Sequence, residues 1–348
     1  MKFKNKAFVF FIIVISFLVT AIGCSKKFNE KDAKTKSGYA LGTIINIKVY
    51  DNVDDKVFDE VFKKLKEIEN KMSINLNTSE VIDINNKAGV DYASVSEETF
   101  FVIKEAIHYS SISNGNFDIT VGPYVKLWNI GTDKERIPSE SEINSNKDLI
   151  GYKNIILDEN NKKIKLSKKG MIIDLGAIAK GYAADEVYKI LKKNGINHAI
   201  VNLGGNIFAL GSNPKGEPWK IGVQNPLTKR GNSIGTLDIN NQSVVTSGIY
   251  ERYFEKDGKR YHHIINPFTG YPVDSNLASV TIISDKSIDG DALSTATFCL
   301  GVDKGMKLVE NLRDVDAIFV TKDSKVYVTS GIKDNFKITN TSFKLVKS

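Results

Sequence analysis

The chain has 348 residues, 48 basic against 41 acidic side chains, a formal charge of +7 and two cysteines, Cys24 and Cys299. Two cysteines exclude a disulfide framework and a thiolate metal site. The basic excess is mild and sits largely in Lys26, Lys27, Lys31, Lys34 and Lys36, which argues against a nucleic-acid partner.

Lys2, Lys4 and Lys6 precede an almost wholly apolar stretch from Ala7 to Ile22, shorter than the ~20 residues a bilayer-spanning helix needs. Polar sequence begins right after Gly23-Cys24, so residues 1–23 read as a secretory signal rather than a stop-transfer helix. Ala21-Ile22-Gly23-Cys24 resembles the bacterial lipobox, with Ala where Leu is usual. The expectation is a lipidated Cys24 at the mature N-terminus, anchored on the extracytoplasmic face of the cell membrane. An ordinary signal peptide with a chance cysteine is the alternative. Loss of residues 1–23 lowers the charge from +7 to +4. Residues 24–37 read as a flexible spacer with some attraction to anionic headgroups, and residues 38–348 as one folded unit with room for one large core or two fused lobes. Cys299 is left without an intramolecular partner.

Thr43 to Tyr50 is rich in β-branched residues and reads as a strand. Val57, Phe58, Val61, Phe62, Leu65, Ile68 and Met72 repeat at helical spacing. A second helix is expected from Glu97 to about Ser111, with Phe101, Ile103, Ala106 and Ile107 inward. Ile155 to Leu166 reads as a hairpin turning at Glu159-Asn160-Asn161. A helix from about Ala177 to Lys193 stops at Asn194-Gly195. Strands between His198 and Asn266 include a hairpin with Asp257-Gly258 at its turn. A strand over 278–284, helices over 287–300 and 303–312 and strands over 315–329 complete the chain. With neither strict βαβ alternation nor a repeat, the fold class is α+β, mixed β-sheets with packed helices.

Four segments spend residues that suit a site better than a core. Gly115 to Pro123 holds Asn116, Phe117 and Asp118 between two glycines and a proline. It reads either as a constrained loop presenting a carboxylate and a ring, or as a tight turn with Phe117 in the core. Asp174-Leu175-Gly176-Ala177-Ile178-Ala179-Lys180-Gly181 leads an Asp and a Gly into a helix, which lets backbone groups and Lys180 approach an anion. It lacks the spacing of a P-loop or a dinucleotide fingerprint and is also consistent with a capped strand-to-helix turn. Tyr261-His262-His263-Ile264-Ile265-Asn266-Pro267-Phe268-Thr269-Gly270 carries adjacent histidines, of which at most one can face a given site. That one is an acid or base candidate. In Asp289-Gly290-Asp291-Ala292-Leu293-Ser294-Thr295, a helix beginning near Asp291 puts Asp291 and Thr295 on one face. The pair makes a hard-cation half-site, unless Asp291 is simply an N-cap.

Taken in order, these segments resemble the ApbE family over nearly the whole mature chain. Leu41-Gly42-Thr43, Ser79-Glu80-Val81-Ile82 with Asn85, Asn202-Leu203-Gly204-Gly205-Asn206 and Thr246-Ser247-Gly248 add to the match. Leu41 stands where the family usually has Met, and Asn266 where it has Asp. The resemblance implies an ApbE-like fold and an FAD:protein FMN transferase, which moves FMN from FAD onto a Thr or Ser hydroxyl of an acceptor flavoprotein and releases AMP. It implies Mg2+ held by the Ala177 carbonyl, Asp291 and Thr295. It implies FAD contacted around Leu41, Asn116, Phe117, Asp118, Asp174, Lys180 and Ile264, with His263 close to the phosphates. Asp291, as the metal's charged ligand, and His263, as the group taking the acceptor's proton, are the expected catalytic residues. Asp118 and Asp174 are alternatives for the proton.

Two other functions fit the same residues. With water as acceptor, the site would be an FAD pyrophosphatase giving FMN and AMP. A lipoprotein that only binds a flavin is the other, but it gives no reason for the Asp291/Thr295 pair. The acceptor implied by the family is a membrane-associated flavoprotein, such as an Rnf- or Nqr-type subunit or an extracytoplasmic FMN-binding domain.

Overall fold

The computed structural model describes residues 33–228 and 231–346. The signal segment, Cys24 and the spacer up to residue 32 lie outside the described residues. Nine strands form the central sheet: β1 (Lys34–Ala40), β2 (Thr43–Val49), β3 (Ala199–Leu203), β4 (Asn206–Leu210), β5 (Gln242–Gly248), β6 (Leu277–Ser284), β7 (Val315–Thr321), β8 (Lys325–Val328) and β9 (Lys344–Leu345). They lie side by side in chain order. Each neighbour is antiparallel except β8–β9.

The spacer is shorter than expected. Lys34–Ser37 already belong to β1, which pairs with β2 from Lys34↔Val49 to Ala40↔Thr43. A polar, Lys-rich composition suits an edge strand as well as a tether, and composition alone does not separate them.

Strand patterns follow the layers. In β2, Ile45, Ile47 and Val49 are fully buried while Ile44 faces solvent, the period-2 signature of a half-covered strand. Every residue of β6 is buried, because the sheet is covered on both sides there. One face packs against helices in the main core; the other meets a small sheet of Trp219–Gln224, Ser233–Ile239 and Lys337–Ile338 in a second core. The fold is α+β, as the sequence implies.

Between β2 and β3 the chain leaves the sheet to build α1 (Asp55–Met72), α2 (Glu80–Asn86), α3 (Glu97–Ile112), α4 (Gly122–Trp128), α5 (Glu140–Asn146) and α6 (Ala179–Lys193). Helices α7 (Ser287–Leu300) and α8 (Val302–Glu310) connect β6 to β7. In α1, Val57, Phe58, Val61, Leu65, Ile68 and Met72 form the buried stripe, and Asp54 caps the Lys56 N–H. In α3, capped by Ser96, the buried face is Phe100, Val102, Ile103, Ala106 and Tyr109. Phe101 is 44% exposed, contrary to expectation. It falls one position off that stripe, a turn of about 100°, and lies on the Tyr182 ring at 6.0 Å. The short helices α2, α4 and α5 were not legible from periodicity; α4 starts at Gly122-Pro123, with proline in its first turn. Asn85 at the end of α2 acts like a strand partner, giving Nδ2 to Ile173 O (3.1 Å) and accepting Ile173 N–H (2.8 Å). It anchors the segment leading to Asp174.

The hairpin Tyr253–Lys256/Lys259–His262 turns at Asp257 and Gly258, both with positive φ. The two histidines diverge, His262 as the last residue of its strand and His263 just past it. His262 is buried, its Nε2 3.0 Å from Val273 O. A carbonyl only accepts, so Nε2 carries the hydrogen, and Nδ1 accepts the Ile264 N–H at 3.3 Å. The ring meets Phe298 edge-on at 5.7 Å.

Burial pushes His262 down to about 4. An unfolded histidine titrates near 6.5, so between those values the unfolded chain binds a proton that the folded chain refuses. The contribution of His262 is therefore complete above about pH 6.5 and lost as pH falls toward 4. In His262→Gln that titration is removed. The stability advantage of wild type over the variant should shrink by about 2 kcal/mol between pH 7 and pH 5, read from urea unfolding. A pH-independent difference would refute this reading of His262.

Candidate active site

The Asp291/Thr295 pair lies where α6 meets α7. Helix α7 starts at Ser287, so Asp291 sits a turn inside it and is not its N-cap. Asp291 and Thr295 share one face of that helix. Asp291 is 4% exposed. Its Oδ2 accepts the Gly181 N–H at 2.9 Å, and its Oδ1 lies 3.3 Å from Lys180 Nζ. Gly181 is the third residue of α6, just after the N-cap Ile178, where an N–H has no acceptor within its own helix; Asp291 supplies that acceptor from the neighbouring helix. Gly181 is required at the crossing, since a Cβ there would come within 2.3 Å of Ser287 O. From β5, Ser247 Oγ lies 2.8 Å from Ser294 Oγ and 3.3 Å from Thr295 Oγ1.

No group of three His, Cys, Asp or Glu side chains among the described residues is placed to hold a metal. The oxygens gathered here are of another kind: the Asp291 carboxylate and the Ser247, Ser294 and Thr295 hydroxyls, with the Ala177 carbonyl just ahead of α6 as a neutral candidate. Such hard, neutral-dominated ligands suit Mg2+, which keeps several waters and needs few carboxylates. The Lys180 contact, longer than a tight charge-assisted bond, leaves Oδ1 loosely held. The residues fit the ion.

Asp174 leads into this corner. Its N–H donates to Ile119 O, and its Oδ1 accepts the Gly176 N–H, both at 2.8 Å. Burial raises its carboxyl, against the pull of Gly176 N–H and the Lys180 and Arg252 charges. Lys180 Nζ also donates to Gly176 O at 2.9 Å.

His263 is exposed, facing away from His262. Its N–H and its Nδ1 both approach Arg252 O, at 3.1 and 3.2 Å. Since that oxygen only accepts, Nδ1 carries the hydrogen and Nε2 presents a bare lone pair. Although one edge of the ring is open, its dense surroundings hold it below the usual histidine range, and the charges of Arg252 and Lys180 press the same way. The ring is a neutral base at pH 7.

Arg252 is the residue that sequence reasoning missed. Its Nη2 reaches Gly42 O at 3.4 Å, and its stem passes Gly131. It therefore connects the β1–β2 turn, the Gly131 turn and His263, with its charge felt at Asp174. A lone arginine before a hairpin carries no pattern that would have found it. In the β1–β2 turn, Leu41 and Gly42 both have positive φ, the two-residue hairpin geometry. Glu69 Oε1 accepts the Leu41 N–H at 3.0 Å.

The Gly115 segment turns its side chains inward. Phe117 is 2% exposed, part of the main core, and presents no ring. Asp118 Oδ1 accepts Thr120 N–H and Oγ1–H at 2.8 and 2.6 Å, and Oδ2 accepts the Tyr152 N–H at 2.8 Å. Burial raises its carboxyl while those bonds lower it. Both oxygens hold backbone, so Asp118 is a poor proton acceptor for substrate. Asn116 Nδ2 donates to Ser113 O at 2.8 Å. Ile264 is 4% exposed and offers its surroundings little but backbone. The Asn266 turn closes over this segment, with Phe268 against Gly115 and Trp128 Nε1 donating to Gly270 O at 2.7 Å. Asn266 Oδ1 accepts the Phe268 and Thr269 N–H groups. An amide oxygen does this as well as a carboxylate, so Asn in place of Asp preserves the turn.

The sequence matches the ApbE family over residues 41–319. It is 40% identical to the FAD:protein FMN transferase of Klebsiella pneumoniae (strain 342), covering 89% of this chain and 96% of that protein. Identity to the FAD:protein FMN transferase of Treponema pallidum (strain Nichols) is 33%, over 89% of this chain and 91% of that one. The crystal structure of the ApbE protein of Thermotoga maritima MSB8 superposes with a TM-score of 0.80 at 34% identity, covering 87% of this chain and 99% of that one. The flavin transferase ApbE from Vibrio cholerae gives 0.80 at 29%, with the same coverage. By sequence and by fold, the chain belongs to the ApbE family.

Proposed function

We propose that this protein is a Mg2+-dependent FAD:protein FMN transferase acting on a Thr or Ser hydroxyl of an acceptor flavoprotein. The observation that carries this reading is Asp291, buried, held by the Gly181 N–H of the neighbouring helix and one turn before Thr295, whose hydroxyl meets Ser247. The names of its relatives support the flavin chemistry. Bound there, Mg2+ would neutralise charge growing on the pyrophosphate as it breaks.

The acceptor oxygen attacks the FMN-side phosphorus, a phosphodiester forms, the bond to AMP breaks and AMP leaves as the anion. His263 Nε2, with its lone pair exposed by the Nδ1–Arg252 contact, takes the acceptor's proton. Lys180 and Arg252 supply positive charge around the phosphates, and Lys180 restrains the Asp291 carboxylate. Asp174 holds the Gly176 turn ahead of α6. Leu41, Asn116, Phe117, Asp118 and Ile264 contribute through backbone shape more than through side-chain contact.

The acceptor fitting this reading is an extracytoplasmic or membrane-bound flavoprotein, of the Rnf or Nqr subunit kind or an FMN-binding domain. Its test is mass spectrometry of such acceptors after incubation with FAD and Mg2+. A covalent FMN adduct with AMP release that depends on the acceptor is expected. Rapid AMP release with no acceptor and no adduct would make the protein an FAD pyrophosphatase instead.

We infer a lipid anchor at Cys24 from the apolar run ending at Gly23-Cys24. Cys24→Ser should move the protein out of the membrane fraction with its transfer activity retained. Persistence in washed membranes would end the lipoprotein reading.

Asp291→Ala should abolish transfer while FAD still binds more weakly, because the metal contributes most as charge develops in the transition state. EDTA should reproduce the loss on wild type and add little to the variant. His263→Gln should lower kcat by roughly 10²- to 10⁴-fold, the range for a lost general base, with FAD affinity kept. Near wild-type transfer by Asp291→Ala in saturating Mg2+ would remove the metal assignment.

A further inference from the structure

The two helices that form the metal half-site grip each other twice. From α7, Asp291 reaches across to the Gly181 N–H. From α6, Asp185 reaches back, with Oδ1 accepting the Ser287 N–H at 2.7 Å and Oδ2 the Ile288 N–H at 2.9 Å. Asp185 lies four residues after Gly181, and Asp291 four after Ser287, so each pair spans about one turn and the four groups close a loop between the helices.

Each contact depends on the other. The first N–H groups of a helix have no partner within it, and Lys286 at the α7 N-cap makes no capping side-chain bond. Asp185 supplies that cap from outside the helix, with its charge placed where a helix N-terminus favours an anion. Such reach requires close packing, which the missing side chain of Gly181 allows: a Cβ there would lie 2.7 Å from Ile288 Cα. On the sheet side, Ser243 Oγ donates to Ser287 Oγ at 2.9 Å. The start of α7 is thus fixed from two directions, one turn before Asp291 and two before Thr295. Burial raises the Asp185 carboxyl most, and the Ser287 and Ile288 N–H groups pull it back more than any charged neighbour does.

We propose that Asp185 is a positioning residue for the metal half-site: by gripping the Ser287 and Ile288 N–H groups, it fixes the height at which Asp291 and Thr295 stand against Ala177. The role rests on the metal-assisted reading above. A helix end freed of this grip frays within its first turn, and Asp291 is the next turn in. Both Asp185 oxygens are occupied by backbone N–H groups, so Asp185 acts through the helix.

The test measures binding of Mn2+ alone to the full chain with FAD and no acceptor, by electron paramagnetic resonance, beside the thermal midpoint. Asp185→Ala should weaken Mn2+ binding roughly 10- to 100-fold, the usual effect of losing a group behind a metal ligand. Asp185→Asn should weaken it less, since its amide oxygen still accepts one N–H. FAD affinity without metal should not change. Ser139→Ala breaks the capping box of α5 and serves as the control, lowering the midpoint with Mn2+ affinity intact. Wild-type Mn2+ affinity in Asp185→Ala, or an equal loss in Ser139→Ala, would overturn the proposal. Should Asp185→Ala not fold, unchanged Mn2+ affinity in Asp185→Asn would do the same. Mn2+ binding involves no transfer. A protein that moves no FMN yet loses Mn2+ on Asp185→Ala keeps the positioning role and loses the transferase reading.

Discussion

The amide of Gly181 is one of the first N–H groups of α6 and has no acceptor in its own helix; it donates to a carboxylate on the neighbouring helix. That bond does two things at once. It holds Asp291 in one orientation and keeps its charge partly compensated while buried. A side chain at position 181 would prevent both, because the α6–α7 crossing is closer there than any Cβ allows.

The larger architecture serves that crossing. Helix α7 lies on β5 and β6, so Ser247 at the end of β5 meets Ser294 and Thr295 from below. Helix α6 comes from the long excursion between β2 and β3, and its approach is set by Asn85 gripping Ile173 and by Asp174 bonding Ile119. Arg252 then joins the first hairpin of the chain to His263. Pieces far apart in sequence meet through backbone carbonyls and N–H groups more than through paired side chains.

This explains which parts of the site could be read in advance. That Asp291 and Thr295 share a helix face was legible because helical spacing alone puts them there. The divergence of His262 and His263 was legible because consecutive residues of extended chain point opposite ways, although the strand itself ends at His262. Phe117 and Asp118 were the ambiguous case: the composition of a tight turn is the same whether its side chains face a ligand or the core, and here the ring is buried and the carboxylate holds backbone. Arg252 and Asp185 carry no local pattern, since their roles are set by atoms more than a hundred residues away. The end of the spacer was misplaced for a related reason: β1 is a strand only because β2 lies beside it. The α+β class and most element boundaries needed no such distant information.

A sheet whose strands lie in chain order is assembled mostly from neighbours, and here one junction departs sharply from that rule. Between β2 and β3 lie residues 50–198, yet these strands pair directly from Ile45↔Leu203 to Val49↔Ala199. The entropy of closing a flexible loop rises only with the logarithm of its length, so so long an excursion costs little more than a short one at equilibrium. In time the cost is different, because long-range pairing is slow. The hairpins from β3 onward can form locally, while β1 and β2 must dock onto β3 across the whole excursion. Lengthening or trimming the outer loops of that excursion would therefore alter how fast the chain folds more than how stable it becomes.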